Sequence, residues 1–133
     1  MSRWAVIPVT EVIISLAKPQ DCESCLLAMA LTATTGVYWG VWFHVACVEV
    51  LGGSRPTWKL PRHVEQLRIA FDCRKLIQPC SFRIPARFAD RDWLAARGAI
   101  PVGCWGAKPT WYDDAAYSAK RANGLQPCNL NSP

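Results

Sequence analysis

The sequence predicts an α+β fold, with a small, mostly antiparallel sheet on which two main helices pack and an irregular C-terminal appendage with short helices. Two observations indicate this class. Half of the residues are apolar (51%) and 19% are charged, which suits a buried core and excludes disorder of the whole chain. The segments run in the order strand, helix, helix, strands, helix, strand, which is typical of α+β proteins.

The first elements are a strand and two helices. Trp4–Val9 is apolar throughout, as an internal strand is. Thr10 predicts the start of a short helix over Glu11–Ala17, because its side chain can accept hydrogen bonds from the first turn. The clearest helix is predicted over Cys22–Thr35, which is rich in alanine and leucine and ends at Gly36.

Strands dominate the next part of the chain, followed by a helix and a last strand. Val37–Leu51 is rich in β-branched and aromatic residues and predicts two strands with a break near His44–Ala46. Thr57–Leu60 is expected to pair back as a further strand. Apolar residues at helical spacing predict an amphipathic helix that begins at Pro61 and ends near Asp72. Cys80–Ile84 alternates outward and inward as the last strand.

The composition changes after Pro85, which predicts a core domain over residues 3–85 and an appendage over residues 86–133. Ala89–Arg97 and Thr110–Arg121 are expected to form the short helices of the appendage. A chain that ends after residue 85 is expected to fold by itself.

The formal charge of +5 permits an acidic partner, nucleic acid included. Basic and acidic residues balance up to Pro61, and the whole surplus follows it, mostly as arginine, which suits recognition of carboxylates and phosphates. A solvated face with scattered charges is the alternative. Nucleic-acid binding is expected to be at most weak and electrostatic, because the aromatic residues are not interleaved with the basic ones. No apolar run reaches the about 18 to 20 residues of a membrane span.

Seven cysteines raise the question of metal binding. Four candidate ligands have the spacing of the first half of a LIM-type zinc finger: Cys22, Cys25, His44 and Cys47. The apolar helix and strand between them are unlike the polar linkers of such fingers, so buried free thiols and no metal are the favoured interpretation. A pairing of Cys104 with Cys128 is left open.

No pattern in the sequence indicates catalysis. Glycine-rich phosphate loops, the nucleophile elbow of hydrolases and clustered carboxylates are all missing from the sequence. A Cys–His nucleophile is formally available, because Cys22 or Cys25 at a helix start would have a lowered pKa. A packed thiol explains the same pattern, and we expect no catalytic residue and no cofactor.

Seven tryptophans are more informative than the cysteines. Exposed aromatic residues beside arginine are the usual anchors of protein interfaces. The predicted partner-binding residues are Arg91, Trp105, Trp111 and Tyr112. The alternative is that the appendage folds back over the sheet and buries its own tryptophans.

From Val9 to Ile84 the chain resembles a group of short, functionally uncharacterised α+β proteins of bacteriophages and actinobacteria. The resemblance rests on short motifs along this segment: Val9-Thr10, Asp21-Cys22-x-x-Cys25 leading into Leu27–Leu31, Leu60-Pro61, Phe71-Asp72 and Pro79-x-x-Phe82. This chain differs from that pattern in having Leu26 where proline is expected. The resemblance implies an α+β fold and a phage origin, without an activity or a site.

Together these features predict a non-enzymatic phage accessory protein that binds another protein of the host defence or host machinery in the host cytoplasm. One alternative is a structural component of the virion, such as a capsid-decorating or neck subunit, and another is a zinc-stabilised binding module. An oligomer is possible in each case.

Overall fold

The computed structural model describes residues 3–20 and 25–103, and it confirms the α+β class. No helix in these ranges is long and apolar enough to cross a membrane. The elements in chain order are β1 (Trp4–Val9), α1 (Glu11–Leu16), α2 (Leu26–Thr35), β2 (Trp39–Trp42), β3 (Val45–Val48), β4 (Thr57–Lys59), α3 (Arg62–Asp72), β5 (Cys80–Pro85), a 3₁₀ turn (Ala86–Ala89) and α4 (Arg91–Ala96).

The described strands form two sheets, so the prediction of one sheet was wrong. β1 and β5 pair as a two-stranded antiparallel ribbon, and β2, β3 and β4 form a three-stranded antiparallel sheet. A helix side chain closes one edge of the larger sheet, because the Trp39 amide donates to Thr32 Oγ1 at 3.1 Å instead of to a strand. At the other edge β4 has three residues, and Pro61 then leads the chain into α3.

The terminal residues of α1 and α2 explain where these helices begin and end. The Thr10 hydroxyl accepts from the Ile13 amide at 3.2 Å, as predicted for the start of α1. The cap of α2 is Cys25, whose backbone is extended and whose sulfur accepts from the Ala28 amide, so this helix begins later than predicted. Gly36 ends it with a φ of 81°, a conformation that glycine adopts without strain.

The hydrophobic core lies between α2 and the two sheets. Nine of the ten residues of α2 are buried, so the helix packs on nearly all sides. The inner face of the β1–β5 ribbon packs on this core through side chains that alternate along each strand. They are Ile7, Val9, Phe82 and Ile84. α3 is amphipathic and buries Val64 and Phe71, as its sequence pattern predicts.

The core continues past Pro85, the predicted end of the core domain. Phe88 and Leu94 belong to the same core cluster as α2 and are 1% and 0% exposed. The chain beyond them is hydrogen-bonded to the centre of the fold, since the Ile100 amide donates to Glu49 O and the Val102 amide to Gly36 O. That residues 3–85 fold by themselves stays a prediction from the sequence. Because side chains beyond residue 85 belong to the core, the structure leads us to expect a folding unit that extends to at least residue 103.

Candidate binding groove

Three arginines converge on one surface groove of about 450 Å³. The groove runs between the segment that leads into β4 and the segment formed by the 3₁₀ turn and α4. We name it the arginine groove, after the described residues that line it: Ser54, Arg55, Pro56, Thr57, Arg87, Phe88, Trp93 and Arg97. No carboxylate is among these lining residues, and neither Arg87 nor Arg97 forms an ion pair with another described residue.

Aromatic rings hold two of the three guanidinium groups in place. The Arg97 guanidinium lies 3.8 Å from the centroid of the Trp93 ring, and its Nη1 donates to the Trp93 carbonyl at 3.0 Å. The Arg87 guanidinium lies 4.7 Å from the centroid of the Phe88 ring. Each cation–π contact at an exposed site contributes about 0.5–1 kcal/mol, enough to favour one orientation of a long side chain.

The rings beneath these guanidinium groups are anchored in the core. Phe88 packs edge-on against Trp39 at 5.7 Å and against Trp93 at 5.4 Å between ring centroids. Trp39 is fully buried, and its indole nitrogen donates to Thr35 Oγ1 at 2.8 Å. The groove therefore rests on a rigid aromatic cluster, which limits the loss of side-chain entropy when a ligand binds.

Arg55, the third arginine, is held from the opposite side of the groove. Its guanidinium lies 3.6 Å from Glu49 Oε2 and 5.5 Å from the centroid of the Trp42 ring. The Trp42 ring covers Gly40, where an added Cβ would come within 2.2 Å of ring carbon Cη2, so glycine leaves the room that the ring occupies. Arg55 is about half exposed and can still donate to a ligand.

Glu49 is the buried acid of this cluster. Its residue is 5% exposed, and Oε1 has no hydrogen-bond partner among the described residues. Burial raises the pKa of the Glu49 carboxyl, and the nearby Arg55 charge partly offsets this effect. Burial thus destabilises the ionised Glu49 carboxylate, and among the described residues it is compensated by one ion pair, with the half-exposed Arg55.

Glu49→Gln is expected to remove one contribution that lowers stability as pH rises. A raised pKa means that the folded state binds the Glu49 proton more tightly than the unfolded chain does, so the contribution of Glu49 to the free energy of unfolding falls as pH rises above about 4.3. The variant lacks this loss, and its stability relative to the wild type should increase from acid towards neutral pH. Urea unfolding over this pH range measures it, with the exposed Glu11→Gln as control. A constant difference between Glu49→Gln and wild type would contradict the prediction.

The residues predicted to bind a partner do not line this groove. Arg91 lies exposed in the first turn of α4 and is not among the lining residues. Trp105, Trp111 and Tyr112 lie outside the described residues. The sequence prediction missed the groove because Arg55 belongs to the electrically neutral half of the chain. The spacing of Trp93 and Arg97, four residues apart on a helix, was the one local signal for it.

Among the residues that the structure describes, the cysteines do not form a metal site. In residues 3–20 and 25–103, no three His, Cys, Asp or Glu side chains lie close enough to hold a metal ion. Burial raises the pKa of the Cys25 thiol to about 12, so the expected lowering at a helix start was wrong for this residue. Burial also raises the pKa of Cys47. Cys22, Cys104 and Cys128 lie outside the described residues, and the zinc and disulfide alternatives stay hypotheses.

In comparisons with known proteins, no family model, curated protein or solved structure matches the chain. The argument about function therefore rests on the groove and on the sequence features that accompany it.

Proposed function

We propose that the chain is a non-enzymatic binding protein whose arginine groove takes an acidic segment of a partner protein. The observation that carries this proposal is the convergence of Arg55, Arg87 and Arg97 on one groove without a carboxylate among the described lining residues. Arg55 is paired with Glu49, whereas Arg87 and Arg97 form no ion pair among the described residues. An anionic ligand offsets the repulsion between these like charges and gains charge-assisted hydrogen bonds.

The chemistry of the groove favours carboxylates that are presented by a folded or extended protein. A guanidinium group offers its donors as a planar fork that matches a carboxylate with two parallel hydrogen bonds. Ser54 and Thr57 add hydroxyl groups that can donate or accept at the same groove. Aromatic and arginine residues packed together are also typical of the central contacts of protein interfaces.

The same groove is less suited to single-stranded nucleic acid. Binding of single strands needs exposed aromatic faces on which bases stack. The Arg97 guanidinium lies over the Trp93 ring, and Phe88 is 1% exposed. The aromatic rings of the groove therefore support arginine side chains rather than present their faces to bases. This supports a protein as the ligand of the groove, with nucleic acid binding at most weakly and through electrostatic attraction.

Reversing one charge in the groove is expected to weaken binding of an acidic peptide at least about tenfold, or about 1.4 kcal/mol. The probe is a fluorescently labelled oligoglutamate peptide, titrated with the full chain and followed by fluorescence anisotropy at physiological salt. Arg87→Glu and Arg97→Glu change the groove directly, because both side chains line it and are exposed.

Arg62→Glu is the matched control, because it changes the net charge equally at an exposed position outside the groove. Arg91→Glu tests the residue that the sequence predicted. Equal losses in Arg62→Glu and Arg87→Glu would mean that only net charge matters, and the groove proposal would be wrong. A labelled single-stranded oligonucleotide that bound more tightly than the peptide would assign the groove to nucleic acid instead.

The biological setting is proposed from the sequence alone. The resemblance to short phage proteins supports an accessory protein that acts on a host component in the host cytoplasm, and a structural component of the virion is the alternative. A structural subunit is present in many copies in each particle, whereas an inhibitor of a host protein need not be. Mass spectrometry of purified virions separates the two, because capsid-like abundance of this chain would overturn the accessory assignment.

A further inference from the structure

The charge of the arginine groove distinguishes between the two kinds of anion that arginine recognises, carboxylates and phosphoryl groups. Arg55, Arg87 and Arg97 bring three positive charges to the groove, and the Glu49 carboxylate that is paired with Arg55 offsets one of them. Two positive charges are therefore left for a ligand. A carboxylate supplies one negative charge, whereas a phosphate monoester carries about −1.5 to −2 at pH 7. The phosphoryl group is thus the better match in charge.

The hydrogen-bond donors of the groove give the same preference. A guanidinium group has five N–H donors. Among the described residues, Arg87 donates no hydrogen bond, and Arg97 donates one, to the Trp93 carbonyl. The Ser54 and Thr57 hydroxyl groups line the same groove. A carboxylate has two oxygens and can be filled by a single guanidinium group, whereas a phosphoryl group has three oxygens that several donors can share.

The aromatic rings hold the guanidinium groups ready for such a ligand. Each of the three arginines lies against a different ring, that of Trp42, Phe88 or Trp93. Contact with a ring orients a guanidinium group without using an oxygen acceptor, so its donors remain for the ligand. Donors that are already oriented lose less side-chain entropy on binding. All three arginines are exposed, so a ligand can reach them from solution.

The size of the groove indicates a ligand larger than a free phosphate ion. Its volume is roughly fifteen times the share of one water molecule in the liquid, and a phosphate ion fills only a small part of it. The half-buried Pro56 and Trp93 add apolar surface to the lining. This surface suits the residues on either side of a phosphorylated side chain in a protein segment.

We propose, on the basis of the function proposed above, that the partner segment in the arginine groove is phosphorylated. The phosphoryl oxygens accept charge-assisted hydrogen bonds from Arg87 and Arg97, which have no carboxylate partner among the described residues. Arg55 supplies the third guanidinium group from the opposite side of the groove. Clusters of arginine are one of the recurring means by which proteins recognise phosphorylated segments.

The test compares three fluorescently labelled peptides that differ only at the central residue, which is phosphoserine, glutamate or serine in an otherwise uncharged sequence with blocked ends. Each peptide is titrated with the full chain and followed by fluorescence anisotropy at physiological salt. We expect the phosphoserine peptide to bind on the order of tenfold more tightly than the glutamate peptide, because it brings more negative charge and a third oxygen. The serine peptide should bind most weakly.

Two conservative variants test the geometry of the groove. Arg87→Lys and Arg97→Lys keep the positive charge and remove the planar fork of donors. Each should weaken binding of the phosphoserine peptide at least about fivefold. Arg62→Lys, at an exposed position outside the groove, is the matched control and should bind like the wild type. Circular dichroism verifies that each variant is folded.

The outcomes separate this proposal from the function on which it rests. A glutamate peptide that binds as tightly as the phosphoserine peptide, with both weakened by Arg87→Glu, would overturn phosphate recognition and leave an acidic ligand in place. If neither peptide binds, both proposals are wrong. Phosphoserine binding that is unchanged in Arg87→Lys and Arg97→Lys would place the phosphate elsewhere and overturn the proposal. Inorganic phosphate that displaces the peptide at equal concentration would assign the groove to the free ion and overturn a protein ligand.

Discussion

Leu94→Ala is expected to lower the free energy of unfolding by about 2–5 kcal/mol, the cost of removing a buried leucine side chain from a packed core. Leu94 is 0% exposed on α4, in the segment that the sequence predicted to be an appendage. If residues 86–103 were only an appendage, the substitution would leave the stability of the core unchanged. Urea unfolding of the full chain, followed by circular dichroism, measures the effect.

Leu76→Ala is the matched control for this measurement. Leu76 is 88% exposed, so removing its side chain should change stability by no more than about 0.5 kcal/mol. Phe88→Ala provides an independent check in the same segment, with an expected loss of about 3–5 kcal/mol. A chain that ends after Pro85 lacks both buried side chains and should show no cooperative transition. Cooperative unfolding of that fragment would instead confirm the predicted boundary at residue 85.

Cys25 is expected to react with iodoacetamide on the order of 10³-fold more slowly in the native protein than in the urea-unfolded chain at pH 8. Its pKa of about 12 leaves only about one thiol in ten thousand ionised at this pH. A thiol of ordinary pKa near 8.5 is about one quarter ionised under the same conditions. Because the thiolate is the reacting species, the rate of alkylation follows this ratio.

The measurement is the time course of modification at each cysteine, read by fragment-ion mass spectrometry. Cys73 is an exposed cysteine in the same protein and serves as the internal reference for reagent access. The experiment is repeated with a chelator, because a zinc-bound thiolate would also be protected but would become reactive once the metal is removed. Rapid native alkylation of Cys25, or release of its reactivity by the chelator, would contradict a buried neutral thiol and would favour the zinc alternative.

Cys25 shows why a local rule can give the wrong chemistry. A cysteine at a helix start is expected to have a lowered pKa, because free amides and the helix dipole stabilise the thiolate. Its sulfur does accept from the Ala28 amide, and this contact lowers the pKa as expected. Burial against the core is the larger effect and reverses the sign. The degree of burial depends on residues far away in the sequence, so the spacing of the cysteines could not predict it.

The sequence by itself determined the local features of this protein. The Thr10 cap, the left-handed Gly36 and the alternation of β5 depend on neighbouring residues along the chain, and all three were predicted correctly. Only the tertiary structure decided that the described strands form two sheets and that residues 86–103 contribute to the core. It also decided that Arg55 and Arg87, which are distant in the sequence, line the same groove. These features depend on which distant surfaces lose contact with water together, and sequence periodicity carries no information about that choice.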